Sequence, residues 1–138
     1  MAFVVDASLA AAWFLPDEDS AAATILARRI EEKPGAAPDL FYHEMRNLLF
    51  LAFRRGRLSE DALFFQIGRL ERLPLRDCGG GDAVQIARFA LKHGLTAYDA
   101  AYLALALVER LPLATLDKKL AAAARAESVS VLGPLGAS

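Results

Sequence analysis

The sequence predicts an α/β layered fold with a short, mostly parallel central sheet, and two observations carry that reading. Short apolar runs recur along the chain, and between each two of them lies at least one segment with helical apolar periodicity. A parallel strand pair needs a crossover of a dozen or more residues, usually helical, so this alternation is the pattern of helices covering a sheet.

Ala2 to Val5 is short and apolar and ends in Asp6, as a buried strand emptying into a loop would. Ser8 to Leu15 reads as a short helix stopped by Pro16. Asp17 to Lys33 reads as a second, with acids in its first turn and Pro34-Gly35 beyond its end. Ala36 to Pro38 is a very short strand, and Asp39 is placed to cap a helix running to about Arg55, closed by Gly56. Ser59 caps the next, to about Arg72, with Leu63, Ile67 and Leu70 on one face; the two helices form a hairpin. Leu73 to Asp77 is a further strand candidate, weakened by Pro74. After Gly79-Gly80-Gly81, Ala83, Ile86, Ala87, Ala90 and Leu91 fall at helical spacing up to Lys92-His93-Gly94. Thr96 starts a helix through about Arg110. Leu113 to Leu116 is a strand, Lys118 to Arg125 a helix, Val129 to Leu132 a last strand, and Gly133 to Ser138 a frayed tail.

The chain has 138 residues, enough for one domain with its own core, and residues 1–138 read as a single unit without linker or repeat. With 55% hydrophobic residues and a net charge of −1 it is neither a disordered tail nor a uniformly basic nucleic-acid binder. A nucleic-acid substrate remains open, because affinity depends on where charge sits. Cys78 is the sole cysteine, so an internal disulfide is excluded and the cytoplasm is the expected location. No run reaches the ~18 apolar residues of a membrane span, and the N-terminus lacks a signal-peptide pattern.

Four acids stand out against their bland explanations. Asp6 and Asp117 end strands, where ligands bind in open α/β sheets, although either aspartate also suits the start of a following helix. Asp99 sits in the first turn of its helix, where an acid is favoured by the dipole, yet Ala100 to Val108 is continuously apolar and argues for burial. Glu44 is the most telling. Helical spacing sets it beside Leu40, Phe41, Leu48 and Leu51, while His43, Arg46, Asn47 and Arg54 occupy the side expected to face solvent. A charge on an inward stripe costs several kcal/mol unless it is paired or bound to a metal.

Converging carboxylates repel, by about 4 kcal/mol for one pair at 4 Å and an effective dielectric near 20. A divalent cation removes that conflict, and hard oxygen ligands without matching His or Cys point to Mg²⁺ or Mn²⁺. Carboxylates holding such ions are a common apparatus for phosphodiester hydrolysis.

Val4-Val5-Asp6-Ala7-Ser8, Pro38-Asp39-Leu40 through Glu44 and Asn47, Leu95-Thr96-Ala97-Tyr98-Asp99-Ala100-Ala101-Tyr102-Leu103-Ala104 and Leu113-Ala114-Thr115-Leu116-Asp117 together resemble PIN-domain toxins of the VapC type, in order and across nearly the whole chain. That resemblance implies a PIN-like three-layer α/β/α sandwich with a helical hairpin. It implies a Mg²⁺- or Mn²⁺-dependent endoribonuclease toxin of a type II toxin–antitoxin pair, with Asp6, Glu44, Asp99 and Asp117 as catalytic and metal-binding residues. Ser8 and Thr115 match hydroxyls that support the ligands. A homodimer, a VapB-type antitoxin that fills the groove near the site, and operator DNA reached only through the antitoxin complete the expectation. Lys118 and Lys119 stand where some relatives carry a further acid, which bears on a second ion.

Other features have competing readings. Arg54, Arg55 and Arg57 suit RNA phosphates or an acidic partner, or a helix C-terminus. Trp13, Phe14, Phe64 and Phe65 suit an interface, with core packing expected for most. The triple glycine lacks the continuation of a phosphate loop and reads as a hinge. The rival functions are a receiver-like regulatory domain, with Asp77 as phosphoacceptor, and a catalytically silent interaction module.

Overall fold

The computed structural model describes residues 2–15 and 20–136. Its strands are β1 (Val4–Val5), β2 (Gly35–Ala37), β3 (Leu75–Asp77), β4 (Leu113–Ala114) and β5 (Val131–Leu132). All pairings are parallel, in the order β3-β2-β1-β4-β5. The helices are α1 (Ala7–Ala10), continued by a 3₁₀ turn over Ala11–Trp13, then α2 (Ala21–Glu32), α3 (Leu40–Arg54), α4 (Glu60–Glu71), α5 (Ala83–His93), α6 (Ala97–Glu109) and α7 (Lys118–Ala126). From β1 the chain steps outward through β2 to β3, then returns to the other side for β4 and β5. Right-handed crossovers therefore put α2, α3 and α4 on one face and α5, α6 and α7 on the other, giving three layers. Accordingly α6 packs on β1 and β4, α7 on β5, and α3 on α4.

The inner strands β1, β2 and β4 are buried because they are covered on both faces: Phe3, Val4, Val5, Ala36, Ala37, Leu113 and Ala114 are all within the core, whereas Arg76 and Asp77 of the edge strand β3 are exposed. Gly35 opens β2 where a Cβ would stand 2.9 Å from Leu75 Cδ2 and 3.2 Å from the Phe3 carbonyl oxygen, so a side chain would push β2 off its neighbours. Pro74 precedes the edge strand β3 and is tolerated there, because it joins the pairing only as an acceptor: the Gly35 N–H of β2 donates to its carbonyl at 3.1 Å.

Several boundaries differ from the sequence expectation. The helix expected from Asp17 begins at Ala21, with Ser20 Oγ accepting from the Ala23 N–H, and Pro16 to Asp19 lie outside the described residues. Asp39 precedes α3 but does not cap it. Its backbone is already helical (φ −59°, ψ −31°) and its N–H is tied to the Gly79 carbonyl, whereas a cap needs an extended residue to turn its side chain over the helix end. β4 ends two residues early because side-chain hydroxyls take the next amides: Leu116 N–H donates to Ser8 Oγ and Asp117 N–H to Thr115 Oγ1. On α5 the inward residues are Phe89 with Ile86 and Ala90, while Ala87 is exposed and Leu91 is 87% exposed, so the buried stripe is rotated from the one expected. The tail through Gly136 is folded back, with Gly136 N–H on the Gly133 carbonyl and the Arg125 guanidinium donating to that of Leu135. Among the described residues no helix is long and apolar enough to cross a membrane.

Candidate active site

β1 is flanked by β2 on one side and β4 on the other, and the chain leaving β1 and β4 diverges to opposite faces, opening a crevice at their carboxyl ends. Asp6 follows β1 directly and is 3% exposed. Its Oδ1 accepts from the Leu9 N–H at 3.0 Å, so it caps α1. Thr115 donates to Oδ2 at 2.6 Å, and Ser8 Oγ lies 2.8 and 3.0 Å from the two oxygens. The two hydroxyls also meet each other at 3.2 Å. A knot of hydrogen bonds thus holds the Asp6 carboxylate from β1, α1 and the end of β4.

Glu44 lies one turn into α3 and is half-buried. The buried stripe of α3 is Phe41, Met45, Leu49 and Ala52, so Glu44 flanks the core and does not enter it. Leu48 is partly exposed and Leu51 exposed, because they wall an open groove of about 320 Å³ together with Glu44, Asn47, Arg55 and Arg57. Apolar neighbours at helical spacing look alike in sequence whether they face core or groove. Tyr102 of α6 donates from its hydroxyl to Glu44 Oε1 at 2.6 Å.

Asp99 sits in the first turn of α6, its N–H donating to the Thr96 hydroxyl at 3.1 Å. Asp117 caps α7, with Oδ1 accepting from the N–H groups of Lys119 (2.9 Å) and Leu120 (3.1 Å). Capping of the following helix, one of the two readings for both strand-end aspartates, is therefore part of the geometry.

Electrostatics tie the four acids together. Burial pushes the Asp6 carboxyl up to about 6 against the hydrogen bonds from Thr115, Leu9 and Ser8, and the Asp99 charge pushes the same way. Glu44 is raised by burial and by Asp99, with the Tyr102 hydrogen bond opposing. Asp99 is raised by burial and by the charge of Asp117, with Thr96 and Lys119 opposing. Asp99 is the shared neighbour through which the set is coupled. Among the described residues, however, no three acidic, histidine or cysteine side chains stand close enough to hold an ion as they lie. Three of the carboxylates have local donors: Thr115 and Ser8 for Asp6, Tyr102 for Glu44, and the α7 amides for Asp117.

Thr115 is fully buried and gives Asp6 its shortest hydrogen bond. Thr115→Val should therefore lower the stability of the metal-free protein by about 1–3 kcal/mol, by leaving buried groups without a partner. A denaturant titration of both proteins at one pH checks it, and equal midpoints would show that the knot contributes nothing.

The remaining candidates scatter. Arg54 lies over the Phe50 ring, 4.4 Å from its centroid, while Arg55 and Arg57 line the groove beside Glu44. His43 meets Arg46, and His93 bonds Glu127 at 2.7 Å, so neither joins the acids. Phe14 is core, but Phe64 and Phe65 are 63% exposed, against the packing expected for most of these aromatics. Asp77 lies on the edge strand β3, separated from β1 by β2, and its Oδ1 serves the Gly79 N–H. A receiver-like pairing of Asp6 with Asp77 has no structural basis. A second cleft, of about 380 Å³, lies between the triple-glycine turn and Leu105 and Val108 of α6. It is larger than the groove and is lined by none of the four acids, whereas the groove is lined by Glu44. Tyr102 was the residue that sequence reasoning quoted without assigning; a tyrosine inside an apolar helical run signals a hydroxyl in need of a partner.

The chain matches the model of the PIN domain over residues 3–126. It is 38% identical over 124 residues to Ribonuclease VapC3 of Pyrobaculum aerophilum, spanning 88% of this chain and 93% of that protein. Among solved structures it is similar to PAE2754 from Pyrobaculum aerophilum (TM-score 0.67, 25% identity, 89% of this chain and 79% of that one). It shares its fold with a toxin–antitoxin complex from Klebsiella pneumoniae (TM-score 0.57, 17% identity, 88% and 91% covered). The same holds for Mycobacterium tuberculosis VapC20, a sarcin-ricin-loop-cleaving toxin (TM-score 0.57, 16% identity, 88% and 95% covered).

Proposed function

This chain belongs to the PIN-domain family, and on that premise we propose that it is a metal-dependent endoribonuclease, the toxin of a type II toxin–antitoxin pair. One observation supports the reading most: acids from four separate segments act on one another electrostatically, the Asp99 charge on Asp6 and Glu44 and the Asp117 charge on Asp99. Similarity to Ribonuclease VapC3 supports RNA as the substrate class.

The donor set fits a hard divalent ion, Mg²⁺ or Mn²⁺, because it is all carboxylate, three of its members are raised by burial and repulsion, and neither histidine joins it. Asp6, Glu44, Asp99 and Asp117 would hold it. When bound, such an ion supplies stabilisation of charge on the phosphoryl and leaving oxygens and a more acidic attacking water. Ser8 and Thr115 keep Asp6 in one orientation, as supporting hydrogen bonds do for metal ligands. Arg55 and Arg57 on the groove wall take phosphates flanking the cleaved bond.

The same groove, with Leu48 and Leu51 beside its arginines, suits the C-terminal segment of a VapB-type antitoxin, which blocks the site and alone contacts operator DNA. The exposed Phe64 and Phe65 belong with a partner surface, in a homodimer or under the antitoxin. The location is cytoplasmic.

Purified chain incubated with structured RNA should cut it only when Mg²⁺ or Mn²⁺ is present, lose the activity on chelation and regain it on adding the ion back. Cleavage indifferent to chelation would overturn the metal mechanism. Phosphoryl transfer to Asp77 from a small donor would favour the receiver reading instead.

A further inference from the structure

Tyr102 is among the most deeply buried side chains, 1% exposed, yet its hydroxyl lies at the meeting point of three chain segments that carry acids. It donates to Glu44 Oε1 of α3 at 2.6 Å. The backbone N–H of Ala7, the residue after Asp6, and the Asp6 charge both act on it electrostatically. Its own helix carries Asp99 three residues earlier, on the neighbouring turn of the same face. Thr96, which caps α6, fixes the start of that helix and with it the spacing of both residues.

We infer that Tyr102 is a positioning residue for the acidic site, its hydroxyl restraining the Glu44 carboxylate so that its free oxygen is available to a divalent cation. The inference rests on the ion-dependent reading above. Glu44 has three rotatable bonds and faces an open groove, so without an anchor its carboxylate would sample several positions. The anchor engages one oxygen, Oε1, and leaves Oε2 for a ligand. A phenol suits the task because its hydroxyl sits at the end of a ring buried in the core and donates to Glu44 at 2.6 Å. A rigid ring held in the core transmits position, whereas a serine or lysine on the groove wall would move with its target.

Tyr102→Phe removes the hydroxyl and keeps the ring. Calorimetric titration with Mn²⁺ alone, without RNA, should show affinity reduced about tenfold or more, the scale on which supporting hydrogen bonds act on metal sites. Glu44→Gln should weaken binding too, and adding Tyr102→Phe to it should produce little further loss, because both changes break one coupling. Leu103→Ala, an equally buried neighbour, serves as the control for general loosening and should leave Mn²⁺ affinity unchanged in the folded protein. In the unsubstituted chain the Tyr102 ring ¹³Cζ resonance should shift on adding Mg²⁺, a readout independent of how any variant folds. Wild-type affinity retained in Tyr102→Phe, additive losses in the double variant, an equal loss in Leu103→Ala or an unmoved Tyr102 resonance would each overturn the positioning role. A wild-type chain that binds no Mn²⁺ at all would instead remove the ion-dependent reading beneath it.

Discussion

Asp99→Asn should abolish RNA cleavage, by about 10³-fold or more in single-turnover rate, while the protein stays folded. The magnitude follows from position. Asp99 is the acid whose charge reaches both Asp6 and Glu44, and which in turn feels Asp117, so its removal uncouples the whole set. A loss of that size corresponds to about 4 kcal/mol of transition-state stabilisation. The fold should tolerate the change because asparagine keeps the shape, and the Asp99 backbone N–H, not its carboxylate, makes the bond to Thr96. Removing one of several repelling charges should, if anything, raise the melting temperature of the metal-free chain. Cleavage rates at saturating Mg²⁺, with a thermal melt of each protein, test both halves. A variant within tenfold of wild type would show that the convergence of acids is structural and not catalytic.

Much of this arrangement was legible from residues alone because its determinants are local. Ser59 and Thr96 cap the helices they precede, Gly94 ends α5 in the left-handed region, and the inner strands β1, β2 and β4 are apolar on both faces. The four acids stand out in the sequence for a related reason, their places at strand ends or beside apolar helical runs, and burial raises the carboxyls of three of them, Asp6, Glu44 and Asp99. What the sequence concealed is what tertiary contacts decide. Asp39 has the right chemistry for a cap, but the bond from its N–H to Gly79 across the β2 and β3 ends fixes a backbone that cannot cap. Leu48 and Leu51 look like core partners of Glu44, yet they wall a groove, since only the packing of α1 and α4 determines which side of α3 is covered. Tyr102 bonds Glu44, 58 positions away, and no periodicity encodes such a meeting.

The second large effect is on stability against pH, and its sign is the reverse of ordinary acid denaturation. The Asp6 carboxyl moves from 3.8 to about 6 on folding, chiefly because it is buried. Between those values the folded chain keeps a proton that the unfolded chain has released, so stability falls as pH rises from about 4 to about 6 and the full penalty persists above. At roughly 1.4 kcal/mol for each pH unit between the two values, the Asp6 share of that loss is about 3 kcal/mol. Glu44 and Asp99 are raised as well and act in the same direction, while Glu127, lowered by Lys92 and His93, acts in the opposite one. Comparing wild type with Asp6→Asn isolates the Asp6 share, because the other groups titrate in both proteins. In chelator, denaturant titrations from pH 4 to 8 should find the variant gaining on wild type by up to about 3 kcal/mol, with the change complete near pH 7. Adding Mn²⁺ at pH 7 should reverse the order, since an ion bound to the folded state stabilises only the protein that keeps its ligand. A difference between the two proteins that is flat with pH would mean that Asp6 is charged in the fold without penalty, and the burial of a carboxylate at the end of β1 would no longer call for a cation.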